Sequence, residues 1–415
     1  MERRGLKSVL IHSIVFSPDG VSTAYLYNDI ALGLVENGFG VVVLTTTPHY
    51  NLIDSELIKQ PISRKLFGLY YQSYFKGIKV YHIPLKKYRS TIKRLVSFVY
   101  WHVLSFFIGI SIKKINFILS PSPPLSIGFI SLLIAKFKGA KAIYNVQEIY
   151  PDLLINQGNL NSPLIINLLK SFEKIIYNYS AAVTTIDEVF YGTISSRFSK
   201  ISKLKIIPNF VDTELFKPLN QKLELPAVFG NENGKIKILY AGNIGFFQDW
   251  EPVLFAAKEL LEENIEFWII GEGVQKEHLQ LEIQNKNLSN VRIFPYQSRE
   301  LIPVINNYAD IHFIAINQQM ELEGFPSKIY TIMACAKPIV VVTGENTSLH
   351  NFLKDKNCAE LITSNRNVNF VAAIRKLASD KNLRDLLGNN GLSEIINNYS
   401  KNVVVSKYTN LLKSL

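Results

Sequence analysis

Cysteine is nearly absent: Cys335 and Cys358 are the only two in 415 residues. That excludes a disulfide scaffold and a four-thiolate zinc site, and it suits a reducing compartment. No Asp-x-Asp, His-x-x-x-His or cysteine pair stands at ligand spacing, so no metal is expected. Charged residues make up 19% against 47% hydrophobic, which excludes a disordered or low-complexity chain. One sign of charge is missing altogether from Leu57 to Gln147, where 15 Lys and Arg meet no Asp or Glu. Residues 1–210 hold 24 basic against 11 acidic side chains, and residues 211–415 hold 21 against 23. A surface this one-sided meets something anionic. No recognition motif accompanies it, so nucleic acid is not the expected partner.

What is present is an alternation of strand and helix. Ser8–Phe16 is a mostly apolar run with no small-x-small site after it, so it reads as a buried first strand and not a signal peptide. Leu26, Ile30, Leu34 and Val35 have helical spacing within Val21–Asn37, Gly38 stops that helix, and Gly40–Thr46 is a second strand. That is one βαβ unit. Strands are predicted again at Lys235–Ala241, Glu266–Ile270, Val291–Phe294, Asp310–Ile316 and Pro338–Val342. Helices are predicted near Trp250–Glu263, Val274–Asn285, Arg299–Tyr308 and Ser327–Ala336, then at Asn367–Ala378, Leu383–Tyr399 and Asn402–Leu412. The pattern predicts two doubly wound α/β domains. They cover residues 1–215 and 235–395, with a linker at 216–234 rich in Pro and Gly and a last helical segment at 396–415.

Open α/β sheets bind ligands beyond the carboxyl ends of their strands, so the loops there carry the candidates. In Ser17-Pro18-Asp19-Gly20, Gly20 allows close backbone approach, and Asp19 or Ser22 would cap the next helix. His49 follows a strand beside Pro48 and would face a cleft. Gly242-Asn243-Ile244-Gly245 ends the strongest strand and can admit a phosphate or ribose, although such a pattern is weak alone. In Glu323-Gly324-Phe325-Pro326-Ser327-Lys328, Ser327 is a candidate cap. Lys328 would sit at a helix start, where its own charge is unfavourable unless an anion joins it. The competing reading of Lys328 is a solvated side chain.

These loops in order, with Asn209-Phe210-Val211-Asp212 and Gly271-Glu272-Gly273, resemble the retaining family-4 glycosyltransferases of the GT-B fold over essentially the whole chain. Thr47-Pro48-His49-Tyr50-Asn51, Gln147-Glu148-Ile149-Tyr150-Pro151-Asp152 and Pro326-Ser327-Lys328-Ile329-Tyr330 resemble the bacterial surface-polysaccharide branch, near N-acetyl-fucosaminyl and colanic-acid-type transferases. The resemblance implies two Rossmann-like domains facing a cleft, a last helix returning to the first domain, and metal-independent transfer with no cofactor. It implies a UDP-sugar donor carrying an N-acetylated hexosamine or deoxyhexosamine. The acceptor it implies is a polyprenyl-diphosphate-linked saccharide of O-antigen, capsule or exopolysaccharide synthesis. Glu323 matches the first Glu of the family's Glu-x7-Glu signature, which approaches the donor sugar, and the second position is Thr331. The usual basic pair facing the diphosphate is replaced by the neutral Asn243 and Gln248, which leaves Lys328 as the candidate cation. Glu323 and Lys328 are the expected catalytic pair. Gly20, Gly242, Asn243, Gln248, Tyr296, Gly324, Phe325, Ser327, Lys328 and Thr331 are the expected donor contacts, and Asp19, His49, Glu148 and Asp152 the acceptor contacts.

Leu95–Ile112 is an apolar stretch bracketed by Lys93-Arg94 and Lys113-Lys114. Its aromatic residues Phe98, Tyr100, Trp101, Phe106 and Phe107, within the acid-free span of about 57–147, suit a helix lying on a bilayer better than a buried or a spanning one. The expected location is the cytoplasmic face of the plasma membrane, held peripherally at an anionic surface. The alternatives are a sugar-nucleotide epimerase and a non-catalytic protein that keeps the fold. The first is disfavoured because a soluble substrate needs no membrane patch. The second is motivated by Thr331, Asn243 and Gln248.

Overall fold

The computed structural model describes residues 6–415 apart from 51, 53, 87, 89, 157, 159, 220–224, 231–233 and 319–324. The chain forms two compact units. Met1–Asn209 together with Lys401–Leu415 make the first, and Phe210–Ser400 the second. The division therefore falls at Asn209 and not at 215, and the last helix runs from Lys401 to Ser414.

The first unit has nine strands: β1 Ser8–His12, β2 Gly40–Thr46, β3 Ser63–Lys65, β4 Tyr70–Phe75, β5 Ile78–Ile83, β6 Phe117–Pro121, β7 Lys141–Val146, β8 Ala182–Thr185 and β9 Leu204–Ile206. Their order in the sheet is β3-β4-β5-β2-β1-β6-β7-β8-β9. All pairs are parallel except those of β4, which runs against both β3 and β5. β1 is central and buried from Val9 to His12, as an apolar run between two helical layers must be. It ends at His12, so Ser13–Phe16 is loop where the sequence predicts strand.

The helix Ser22–Glu36 packs on the returning helix Lys401–Ser414. A Cβ at Gly33 would lie 2.6 Å from Val405 Cγ1, so glycine there sets how closely the two helices approach. The helix Thr91–Ser111 joins β5 to β6 of one sheet, which excludes a spanning role. Trp101 is fully buried beneath it, stacked on His12 at 5.4 Å, and is therefore not one of its outward aromatics.

The second unit is a six-stranded parallel sheet of β10 Ile236–Ala241, β11 Ile265–Ile270, β12 Val291–Phe294, β13 Ile311–Ala315, β14 Ile339–Val342 and β15 Ala359–Ile362, in the order β12-β11-β10-β13-β14-β15. β15 was not predicted, because its Ala-Glu-Leu-Ile is short and mixed. β11 is wholly buried despite Glu266, whose carboxylate accepts from Trp268 Nε1 at 2.7 Å and pairs with Lys237 Nζ at 3.2 Å. A buried charge is tolerable when paired and hydrogen-bonded in this way. The expected linker is no free tether where it is described. Phe216 and Phe229 are buried in this unit, Phe229 against Trp268 and Phe294, because large aromatic side chains gain more by burial than a loop gains by freedom. The helix predicted over Leu383–Tyr399 is α-helical from Lys381 to Glu394 and closes in a π-helical turn over Ile395–Tyr399.

Candidate functional site

The loops that leave β10 and β11 are joined along their backbones. Gly242 N–H donates to Ile270 O, Ile244 N–H to Glu272 O and Gln275 N–H to Ile244 O, each at 2.9 Å. A Cβ at Gly271 would fall 1.8 Å from Gly242 O, and one at Gly273 would fall 2.2 Å from Ile244 O. Both glycines have φ near +155° (+154° and +156°), so only glycine fits either position. Inside the first loop Gln248 Oε1 accepts from Gly245 N–H at 2.9 Å, and Asn243 O accepts from the Tyr240 hydroxyl at 2.6 Å. The Gln248 side-chain oxygen thus holds the turn closed. That bond leaves the Gln248 amide nitrogen, the group that would donate to a diphosphate, unused among the described residues, and the Asn243 side chain is exposed.

Lys328 opens the short helix Lys328–Ala334. Its ammonium is buried and has no hydrogen-bond partner among the described residues. It lies 3.5 Å from the centre of the Tyr240 ring and beside Gly242, where a Cβ would come within 2.5 Å of Nζ. Burial pushes its pKa down to about 7. The ring face offers the cation partial compensation, but a buried charge normally demands an anion or several hydrogen bonds. The solvated reading of Lys328 is thereby overturned. Sequence reasoning placed Tyr240 at the head of the Gly242 loop but gave it no role, because it looks like one more buried position of the strand; the structure sets its ring against the Lys328 ammonium.

The neighbours of Lys328 are mostly structural. Ser327 stands at the N-cap position with helical φ/ψ and makes no capping hydrogen bond, so the predicted cap is absent. Thr331 Oγ1 donates to Lys328 O at 2.9 Å, which engages the hydroxyl expected at the ribose. Phe325 packs on Tyr330 and Phe352 at 5.3 and 5.2 Å, and Tyr399 joins this aromatic cluster. Tyr296 is exposed in the loop after β12. Glu323 and Gly324 lie outside the described residues. Arg366, which the sequence did not single out, ties the β10 loop to β13 by donating to Asp249 Oδ2 at 3.1 Å and to Ile316 O at 2.8 Å.

In the first unit the loops after β1 and β2 are clasped together. Asp19 is buried, and its Oδ1 accepts from the backbone N–H groups of His49 and Tyr50, both at 2.8 Å. Burial raises its pKa against those bonds. The helix cap falls at Val21, so neither Asp19 nor Ser22 caps it. Gly20 N–H donates to Tyr50 O at 2.9 Å and is not open to an anion, contrary to expectation. The His49 ring bonds Thr47 O at 2.9 Å and packs on Tyr50. Glu148 N–H donates to Ser122 Oγ at 3.1 Å. Asp152 is ion-paired with Arg197, which also bonds the buried Glu173 at 2.8 Å, so its carboxylate holds the fold and is not an open acceptor contact. Among the described residues no three His, Cys, Asp or Glu side chains cluster as metal ligands would.

Residues 221–394 match the family described as Glycosyl transferases group 1. The chain is 26% identical over 356 residues to the putative colanic acid biosynthesis glycosyl transferase WcaI of Escherichia coli, spanning 82% of this chain and 84% of that protein. Among solved structures it resembles sucrose-phosphate synthase from Thermosynechococcus elongatus, with TM-score 0.75, 13% identity and 98% of each chain covered. It also resembles Anabaena Alr3699/HepE in complex with UDP, with TM-score 0.71, 11% identity and coverage of 99% of this chain and 100% of that one. Residues 221–394 are thus similar to glycosyl transferases group 1, in a chain whose two α/β units have the GT-B fold.

Proposed function

We propose that the protein is a glycosyltransferase of surface-polysaccharide synthesis. It moves an N-acetylated hexosamine or deoxyhexosamine from UDP to a polyprenyl-diphosphate-linked saccharide, with retention, at the cytoplasmic face of the plasma membrane. One observation carries the reading: the ammonium of Lys328, buried over Tyr240 without a partner among the described residues, beside the glycine loop of a segment that matches glycosyl transferases group 1. The similarity to WcaI supports the polysaccharide setting.

In the reaction the bond from the sugar's anomeric carbon to the UDP oxygen breaks. The acceptor hydroxyl oxygen bonds to that carbon, and its proton passes to an oxygen of the leaving β-phosphate. Negative charge grows on the β-phosphate as it leaves. A cation already in place and shielded from water stabilises that charge without having to reorganise, which is the largest contribution a site of this kind offers. Lys328 supplies it, with the backbone of Gly242-Asn243 closing round the phosphates. Glu323 acts on the donor sugar near the reacting carbon, and Tyr296 lies near the base.

The test is mass spectrometry of products after incubation with a panel of UDP-sugars and a polyprenyl-diphosphate saccharide. An acceptor heavier by one sugar, formed with release of UDP, is expected. Donor binding without transfer would overturn the enzymatic reading, and a melting shift with GDP but not UDP would overturn the nucleotide.

A further inference from the structure

The helix Thr91–Ser111 has its polarity inside out. The side packed on the sheet carries Trp101, His102 and Ser105, all buried, while Ile92, Leu95, Val96, Val99, Val103 and Phe107 face outward at 48% to 75% exposure. These positions recur at three and four residues and so form one stripe. A second helix of the same unit does the same. Leu164, Leu168, Ile175 and Tyr179 of the helix Pro163–Tyr179 share a stripe and are exposed by 42% to 84%.

The helix Leu125–Lys138 joins the two. A Cβ at Gly109 would lie 2.5 Å from Ile134, so the first and middle helices are in close contact. Phe106 and Phe107 lead to Phe137, which is 69% exposed and packed on Phe106 at 5.3 Å. On the other side Phe129 meets Phe172 at 4.9 Å. The crossovers β5→β6, β6→β7 and β7→β8 all advance in one direction across the sheet. Right-handed connections therefore lay these three helices on one face.

We infer that the helix Pro163–Tyr179 is a second membrane-docking element, and that with Thr91–Ser111 it seats the first unit on an anionic leaflet through a two-helix apolar face. The inference rests on the peripheral-membrane part of the proposed function. Charge selects the occupant. Lys93, Arg94, Lys113 and Lys114 flank the first stripe, Lys170 and Lys174 stand beside the second, and the acidic residue of the second helix, Glu173, is buried against Arg197. A second copy of this face would bring like charges together, whereas anionic headgroups attract each of them. The apolar stripes supply the area an interfacial helix needs.

Flotation with vesicles of phosphatidylcholine containing about a third phosphatidylglycerol tests it. Leu164→Gln with Leu168→Gln, and separately Leu95→Gln with Val99→Gln, change exposed side chains, and unaltered melting would show that the fold is kept. Each pair should weaken vesicle binding by roughly tenfold or more, and the four together should abolish it. Binding should fall with salt and on pure phosphatidylcholine. Wild-type-like binding by the Leu164/Leu168 variant, with loss in the Leu95/Val99 variant, would overturn the second element alone. No binding by the wild-type chain would overturn the membrane reading itself. A wild-type dimer in light scattering that the Leu164/Leu168 substitutions convert to monomer would assign the face to a second copy.

Discussion

The ammonium of Lys328 rests 3.5 Å from the centre of the Tyr240 ring, with the backbone of Gly242 as its other wall. A cation held dry against an aromatic face, with no anion beside it among the described residues, is poised to receive one. The consequences for donor binding and turnover can be measured.

Lys328→Met should lower kcat by about 10²-fold while changing the donor KM far less, because the charge it neutralises is largest in the transition state. Lys328→Arg should restore only part of the rate, since a planar fork does not occupy the slot of a compact ammonium. Steady-state kinetics with UDP-sugar decide it, and near wild-type rates in both variants would remove Lys328 from the mechanism.

The pH dependence follows from burial. The pKa of Lys328 is lowered to about 7 in the folded chain, against 10.5 ordinarily. Between these values the unfolded chain binds the extra proton, so this group's contribution to stability rises with pH across that window. A bound diphosphate favours the ammonium and pulls its pKa up. UDP binding should therefore take up a proton, and affinity should fall by up to about tenfold per pH unit above ~7.5. Calorimetry in two buffers of different ionisation enthalpy reads the proton directly. Lys328→Met should abolish the uptake, and uptake that survived in it would belong to another group.

Glu323→Gln keeps the side chain's size and removes its charge. Transfer should drop by about 10²-fold or more, with UDP affinity nearly unchanged, the pattern of a contact made in the transition state. Retained turnover would move that role elsewhere.

Gly271→Ala would push a Cβ into the carbonyl of Gly242 and strain a φ of +154°. Two loops would have to part, so both the melting temperature and UDP binding should fall, with a backbone cost of about 1–3 kcal/mol for the strain alone. Gly192→Ala is the control. That residue lies in the helix Glu188–Ser195 with nothing within 4 Å, and alanine there should be neutral or stabilising.

Arg197→Met should destabilise the first unit by about 3–5 kcal/mol, because it leaves the buried Glu173 without its cation. Burial already raises the pKa of Glu173, and among the described residues only the Tyr177 hydroxyl would remain as donor. Adding Glu173→Gln should recover part of the loss in denaturant melts. Failure to do so would show that the cost lies in Asp152 instead.

The architecture was legible in the sequence wherever burial is two-sided. Apolar runs such as Gly40–Thr46 and Ile265–Ile270 fit only a strand covered on both faces, and helical spacing between them dictates an α/β order. The antiparallel β3–β5 segment and β15 were not legible, because short mixed strands take their state from a neighbour. Loop chemistry was legible as residue types: glycines after β10 and β11, and a lysine at a helix start.

What each of those groups does was decided by tertiary structure alone. Gly20, Thr331 and Asp152 carry suitable donors or acceptors, yet contacts with Tyr50, Lys328 and Arg197 use them within the fold. Lys328 went the other way: the sequence left it open whether the side chain is solvated, and packing over Tyr240 removed its water. The outward stripe on Pro163–Tyr179 was equally hidden. Periodicity reports that a helix has an apolar face, but which face meets the sheet depends on neighbours far away in the chain.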